Sequence, residues 1–194
     1  MTARFMMPFP DKQLTGHFGK IRTINGKKTN PHRGTDWAAK RGTPIPAVAN
    51  GTIRLVQFSE ILGWVIVQSV YGADRKTMYV GYCHMDSEPE LKVGDKVKMG
   101  QTIGKIGNTG FSSGPHLHAT LSPTVKGVFS GTVVDLYKYL SDQIKNGSTS
   151  HTAPQKIAKS TKTETKPAPV QKTGQVSKKM EITCPNCKTR FVNA

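Results

Sequence analysis

The chain has no long apolar run. Its best stretch, Trp64-Val-Ile-Val-Gln, falls far short of the ~20 residues needed by a helix that crosses a bilayer. The first ten residues, Met-Thr-Ala-Arg-Phe-Met-Met-Pro-Phe-Pro, hold no continuous apolar segment and no cleavage site, so no secretory signal is expected. Cysteine is scarce: Cys83 stands alone, and Cys184 and Cys187 form a pair. An odd count with one isolated thiol argues against a disulfide scaffold. Acidic residues are few as well, 12 against 28 Lys and Arg, for a formal net charge of +16 over 194 residues. The surplus is spread along the chain, with 18 basic and 9 acidic groups in residues 1–140 and 10 and 3 in residues 141–194. Such a balance attracts polyanions at long range. Nucleic acid, an anionic cell wall and a membrane surface all qualify, and charge alone does not choose among them.

Aromatic residues are absent from residues 148–180, which hold ten Ser/Thr, seven Lys, three Pro and one acid, Glu164. Such a stretch buries too little apolar surface to offset the entropy of ordering, so a disordered basic linker is expected there. His151 falls within it and is expected to be inert. Residues 181–194 follow as a short terminal module whose Cys184-Pro-Asn-Cys187 is similar to the first knuckle of a zinc ribbon. A full ribbon needs four ligands, so Cys184 and Cys187 are expected to be a truncated or vestigial ribbon, a second metal half-site completed by another chain, or a partner-docking tag. A nucleic-acid role for this tail is disfavoured, because no aromatics interleave with its lysines to stack on bases.

Residues 1–147 read as one β-rich domain. Thr52-Ile-Arg-Leu-Val, Trp64-Val-Ile-Val-Gln-Ser-Val and Thr77-Met-Tyr-Val-Gly-Tyr-Cys-His are rich in β-branched and aromatic residues. Asn50-Gly51, Leu62-Gly63 and Tyr71-Gly72 punctuate them as turns. Short strands separated by glycine turns continue through Leu91–Gly107 and predict an all-β sandwich or small barrel. Helical spacing is nearly confined to the segment after Val134, where Leu136, Tyr139 and Leu140 mark a short closing helix. Alternation in the third strand places Cys83 on the face opposite both Tyr82 and His84, as a buried core thiol.

What the chain does have is a set of metal-ligating side chains in one order: His32-Arg-Gly-Thr-Asp36, Tyr82-Cys-His84, and Gly-Pro-His116-Leu-His118. Catalytic zinc typically takes three protein ligands and keeps one open position. Five candidates supply three ligands and leave two imidazoles for proton transfer, which points to hydrolysis. Pro31, Gly34 and Thr35 disfavour a helix, so His32 and Asp36 are expected on a loop running into a strand. His116 and His118 in a strand aim at one face and send Leu117 to the core. Each motif by itself is commonplace; their joint occurrence carries the signal.

Taken together, Asn30-Pro-His-Arg-Gly-Thr-Asp-Trp-Ala-Ala, Tyr82-Cys-His-Met and Gly107-Asn-Thr-Gly-Phe-Ser-Ser-Gly-Pro-His-Leu-His resemble the signatures of the lysostaphin/LytM-type zinc peptidases, peptidase family M23. Gly42–Ile53, Val93–Gly104 and Val134–Leu140 resemble the family's intervening strand, hairpin and closing segment. The resemblance implies an antiparallel, barrel-sandwich type β domain. It also implies His32, Asp36 and His118 as ligands of Zn2+, with His84 and His116 as the catalytic pair. The implied activity is hydrolysis of peptide bonds in peptidoglycan stem or cross-bridge peptides. With no HExxH there is no helical glutamate to serve as base, and an imidazole with a pKa of about 6.5 is suited to that task. His17, where many family members carry a small residue, is expected to face solvent, and no tyrosine stands between Thr23 and Asn30.

The alternative class is a non-catalytic wall-binding module or hydrolase activator. Such relatives usually lack ligands, whereas all five residues are present here. A wall hydrolase made in the cytoplasm without a signal points to phage-mediated release as an endolysin, or to carriage on a virion. The basic tail is then expected to be a solvated tether, with holding of anionic wall polymers or attachment to a particle as further roles.

Overall fold

A computed structural model describes residues 4–21, 23–24, 27–146, 181–183 and 190–192. The chain divides into two units, Met1–Lys156 and Ile157–Ala194. The linker expected over residues 148–180, His151 within it, and Cys184 and Cys187 lie outside the described residues. In the second unit, strands Glu181–Thr183 and Arg190–Val192 pair antiparallel, with Thr183 opposite Arg190.

In the first unit a 3-10 turn at Asp11–Gln13 leads into β1 (Leu14–Gly16), followed by β2 (Thr23–Ile24), β3 (Lys27–Lys28), β4 (Thr35–Ala38) and β5 (Pro44–Pro46). Three long strands come next, β6 (Gly51–Ser59), β7 (Gly63–Tyr71) and β8 (Thr77–Met85), on the segments richest in β-branched residues. The chain closes with β9 (Lys96–Val97), β10 (Thr102–Lys105), β11 (His116–Ser122), α1 (Val125–Phe129) and α2 (Leu136–Asn146). Seven strands form one sheet in the order β1-β4-β11-β8-β7-β6-β9, and the pairings are antiparallel. β10 pairs with β5, and β2 with β3. The all-β expectation therefore holds.

Alternation divides the sheet into two unequal faces. Trp37, Ile53, Ile66, Tyr82, Leu117 and Leu121 point to one side and are fully buried, joined by Leu136 and Leu140 of α2. The other side carries a small cluster of Val65, Val67, Cys83 and Val128. β7 is thus apolar on both faces, which explains why Trp64–Val67 reads as an unbroken apolar run. α1 was not expected from the sequence. Val-Lys-Gly-Val-Phe has weak helix propensity, and its turn is closed by the Thr124 hydroxyl, which accepts from the Gly127 amide at 3.1 Å.

One polar network lies within the main core. The Tyr82 hydroxyl accepts from the Val48 amide at 3.1 Å and donates to Gln68 Oε1 at 2.6 Å, while Gln68 Nε2 donates to the Ala49 carbonyl at 2.7 Å. It ties β7 and β8 to the loop before β6, and each of these groups is satisfied. Tyr82→Phe leaves the Val48 amide and Gln68 Oε1 without that partner. We expect a loss of about 1–3 kcal/mol of stability, read as a lower urea midpoint at unchanged m-value; an unchanged midpoint would show that the network contributes nothing.

Candidate metal centre

β11 lies between β4 and β8, so three of the marked segments are neighbours in one sheet. In the β4–β11 ladder His118 is opposite Asp36 and Leu117 opposite Trp37. Directly opposed side chains share a face. Since Trp37 and Leu117 are fully buried on the core side, Asp36 and His118 project from the other. His32 arrives from the loop before β4, as expected. Its backbone is held on both sides: its amide donates to the Lys20 carbonyl at 3.0 Å, and its carbonyl accepts from the Gly19 amide at 2.8 Å.

The three donor atoms converge. His118 Nδ1 lies 2.8 Å from Asp36 Oδ1, His32 Nε2 lies 3.1 Å from the same oxygen, and the two nitrogens are 3.1 Å apart. These edges approach the roughly 3.3 Å of a tetrahedral site with zinc–ligand bonds of about 2.0 Å. The hydrogen bonding supports the same reading. His32 Nδ1 donates to the His17 carbonyl at 2.9 Å, which turns Nε2 toward the Asp36 oxygen. A proton bridges this edge in the metal-free state and a zinc ion would take its place, and a carbonyl behind a ligating imidazole is a common way of fixing its tautomer. The residues present therefore fit a zinc ion.

Protonation favours the same role. Burial pushes the Asp36 carboxyl up, but its hydrogen bonds and charge contacts with His118 and His32 outweigh this and hold it well below the usual carboxylate range. Burial pushes His118 down, against the opposing pull of Asp36. At neutral pH both are in the unprotonated form that a metal requires. Room for the His118 ring depends on Gly34, where a Cβ would stand 2.6 Å from both His118 Cε1 and the Ala119 carbonyl oxygen.

The two remaining histidines stand beside the ligands, but the expected alternation fails at one of them. In the β7–β8 ladder Trp64 is opposite Met85 and Ile66 opposite Tyr82, so Cys83 and His84 together face Val65 in a bulge. His84 adopts φ +57°, in the left-handed region. Met85 then returns to the core beside Tyr82, while the His84 ring joins His116 and His118 at centroid distances of 4.8 and 5.9 Å. The expectation that Cys83 and His84 point to opposite faces is thus corrected. Cys83 itself is fully buried, as expected, and burial pushes its thiol up.

Both catalytic candidates are anchored through Nδ1. His84 Nδ1 donates to the Thr109 carbonyl at 2.8 Å, and His116 Nδ1 donates to the Gly114 carbonyl at 2.8 Å, with the Ser112 hydroxyl 3.3 Å away. This leaves Nε2 of each ring for chemistry, and His116 Nε2 is 3.8 Å from Asp36 Oδ1. Burial pushes His84 down to about 4, against the Thr109 hydrogen bond, so its imidazole is neutral at physiological pH. His32 and His116, with side chains 15% and 19% exposed, mark the side on which the centre opens to solvent.

All five residues expected from the sequence meet here. His17 does have an exposed side chain, and what the fold uses is its carbonyl. The supporting groups Gly34, Thr109, Ser112 and Gly114 were not singled out from the sequence, and those that act through backbone atoms leave no signal in side-chain identity.

Comparisons with known proteins point the same way. The sequence pattern of peptidase family M23 matches residues 30–129. The peptidoglycan DD-endopeptidase ShyC of Vibrio cholerae serotype O1 is 34% identical over 113 residues, which are 57% of this chain and 25% of that protein. The catalytic domain of the antimicrobial peptidase lysostaphin from Staphylococcus simulans is similar in structure, with a TM-score of 0.54 at 30% identity, covering 66% of this chain and 91% of that one. The catalytic domain of the prophage-encoded M23 protein EnpA from Enterococcus faecalis reaches a TM-score of 0.52 at 35% identity, over 66% of this chain and 91% of that one. The chain spans about a quarter of the length of the curated relatives it matches.

Two tests follow from the geometry. His84 and His118 are depressed in the folded state, so their contribution to stability is complete above an ordinary histidine pKa of about 6.5 and is lost as pH falls below it, for His84 toward about 4. Metal-free protein should therefore lose up to about 1.4 kcal/mol per pH unit through His84 across that window, with a further loss in the same direction from His118, measured by urea unfolding at stepped pH. A flat profile would contradict the burial argument. Gly34→Ala should weaken zinc retention roughly 10- to 100-fold in chelator competition; unchanged retention would mean that the His118 ring has room to spare.

Proposed function

The chain belongs to peptidase family M23, and on that premise we propose that it is a zinc-dependent endopeptidase that hydrolyses peptide bonds in peptidoglycan stem or cross-bridge peptides. The observation that carries the proposal is the convergence on one sheet face of three donor atoms within 3.1 Å and two histidines anchored through Nδ1. The name of ShyC, a peptidoglycan DD-endopeptidase, supports the substrate class.

When bound, zinc polarises the scissile carbonyl and acidifies the attacking water. His32, Asp36 and His118 would hold it. His84, neutral at physiological pH, offers a lone pair at Nε2 for the proton of the attacking water, and an imidazolium so formed can return that proton to the leaving amine. His116 Nε2 stands on the open side of the centre, where a protonated ring can donate to the oxyanion that develops on the carbonyl. The Nδ1 bonds to Thr109 and Gly114 keep both rings from swinging away as protons move. The excess of basic over acidic groups in residues 1–140, 18 against 9, suits an anionic wall. We extend the proposal to the site of action: the bacterial cell wall, reached as a phage endolysin or a virion component. Prophage-encoded EnpA supports this by similarity.

The test uses purified cell walls and defined muropeptides with products identified by mass spectrometry. Lysis should be abolished by a chelator and restored by zinc. His118→Ala should lose both zinc and activity, whereas His84→Ala and His116→Ala should keep zinc and lose at least about 100-fold in rate. A folded, zinc-loaded protein that cleaves no peptide bond would overturn the proposal and favour a wall-binding role.

A further inference from the structure

Thr109 stands where three constraints on His84 meet. Its hydroxyl accepts from the Trp64 amide at 3.1 Å and donates to the Met85 carbonyl at 2.6 Å. Trp64 and Met85 are the cross-strand pair next to the bulge that redirects His84, so this one side chain stitches β7 to β8 at the point where the ladder is interrupted. Its own carbonyl accepts the His84 Nδ1 proton at 2.8 Å. Space for it is cleared by two glycines in the left-handed region, Gly63 at φ +65° and Gly110 at φ +75°. A Cβ on Gly63 would run into the Thr109 hydroxyl and carbonyl, and one on Gly110 would run into the Gly63 amide. The Phe111 amide, donating to the Ile61 carbonyl at 2.9 Å, pins the far side of the same segment.

We infer that Thr109 is a positioning residue for the reaction, acting through His84. A non-glycine residue at positive φ costs of order 1–3 kcal/mol and persists only where its surroundings over-determine it. The Thr109 hydroxyl supplies that determination, because it occupies the Trp64 amide and the Met85 carbonyl on either side of the bulge. With the hydroxyl in place, the Thr109 carbonyl sits behind His84, fixes the proton on Nδ1 and leaves Nε2 as the basic atom. Without it, the amide and carbonyl are free to re-pair directly, the bulge relaxes, and the ring loses both its acceptor and its tautomer. The requirement is for a hydroxyl: valine fills the same volume but neither donates nor accepts, whereas serine does both. This inference rests on the proposed peptidase reading for its kinetic consequence, but its structural content can be read without catalysis.

The experiment compares wild type, Thr109→Val and Thr109→Ser as full-length, zinc-loaded chains. Imidazole 1H–15N correlations report the His84 tautomer, and cleavage of a defined muropeptide reports kcat and KM separately. In the wild type His84 should carry its proton on Nδ1. Thr109→Val should lose that signature and roughly 10- to 100-fold in kcat, with KM within about twofold and zinc content unchanged. Thr109→Ser should restore the tautomer and most of the rate. A wild-type His84 protonated on Nε2, a measurement that needs no variant, would overturn the proposal, as would a Thr109→Val protein with an intact Nδ1 signature and wild-type kcat. If no form cleaves muropeptides while the tautomer still follows the hydroxyl, the positioning role stands and the peptidase reading fails.

Discussion

The cross-strand pair of Asp36 and His118 is the constraint on which the centre depends. It is held in place from the opposite face of the sheet, where Trp37 and Leu117 sit with no exposed surface. A slip of β4 by one residue against β11 would drive the carboxylate into the core, away from the imidazole, and expose the tryptophan. The hydrophobic effect therefore sets the candidate metal site at one remove. Burial of a large aromatic surface fixes the register, and the register delivers two ligands to one face.

The same arrangement sets the protonation states. Asp36 and His118 are nearly buried, so the charged form of each is unfavourable unless matched. For the carboxylate, the two imidazoles supply the match and keep it ionised. For His118, burial prevails and keeps the ring neutral. A metal ion at this site would thus meet ligands that have few protons to give up at neutral pH. His84, pushed down by burial to about 4, is kept neutral by the same dry surroundings while lying outside the ligand triangle.

Backbone atoms do much of the positioning. Three carbonyls, those of His17, Thr109 and Gly114, each take an Nδ1 proton, so His32, His84 and His116 all present Nε2. His118 is the exception, presenting Nδ1 because its strand neighbour Asp36 stands on that side of the ring. Two of the three carbonyls belong to the segment between β10 and β11, so that loop orients both candidate catalytic rings. Gly34 contributes by what it lacks, since a Cβ would occupy the space of the His118 ring.

The sequence by itself determined a good deal. Period-two alternation in His116-Leu117-His118 sends Leu117 to the core and both imidazoles to the other face, because strand geometry allows no other division. The rhythm of short strands and glycine turns determines an all-β unit, and Leu136 and Leu140 mark the closing helix. The five histidine and aspartate residues are legible because metal chemistry restricts side-chain identity. Tertiary structure alone decided the rest. Alternation would send the His84 ring to the wrong side of the sheet, and only a bulge with a left-handed residue brings it to the metal face. That bulge is held by contacts between residues 20 or more positions apart, Trp64 and Met85 with Thr109, which no local pattern encodes. α1 was hidden for the same reason: a five-residue helix of low propensity exists because a cap and an apolar cluster stabilise it. The choice of Nε2 over Nδ1 belongs to tertiary structure too, since carbonyls are common to every residue and only the fold decides which one an imidazole meets.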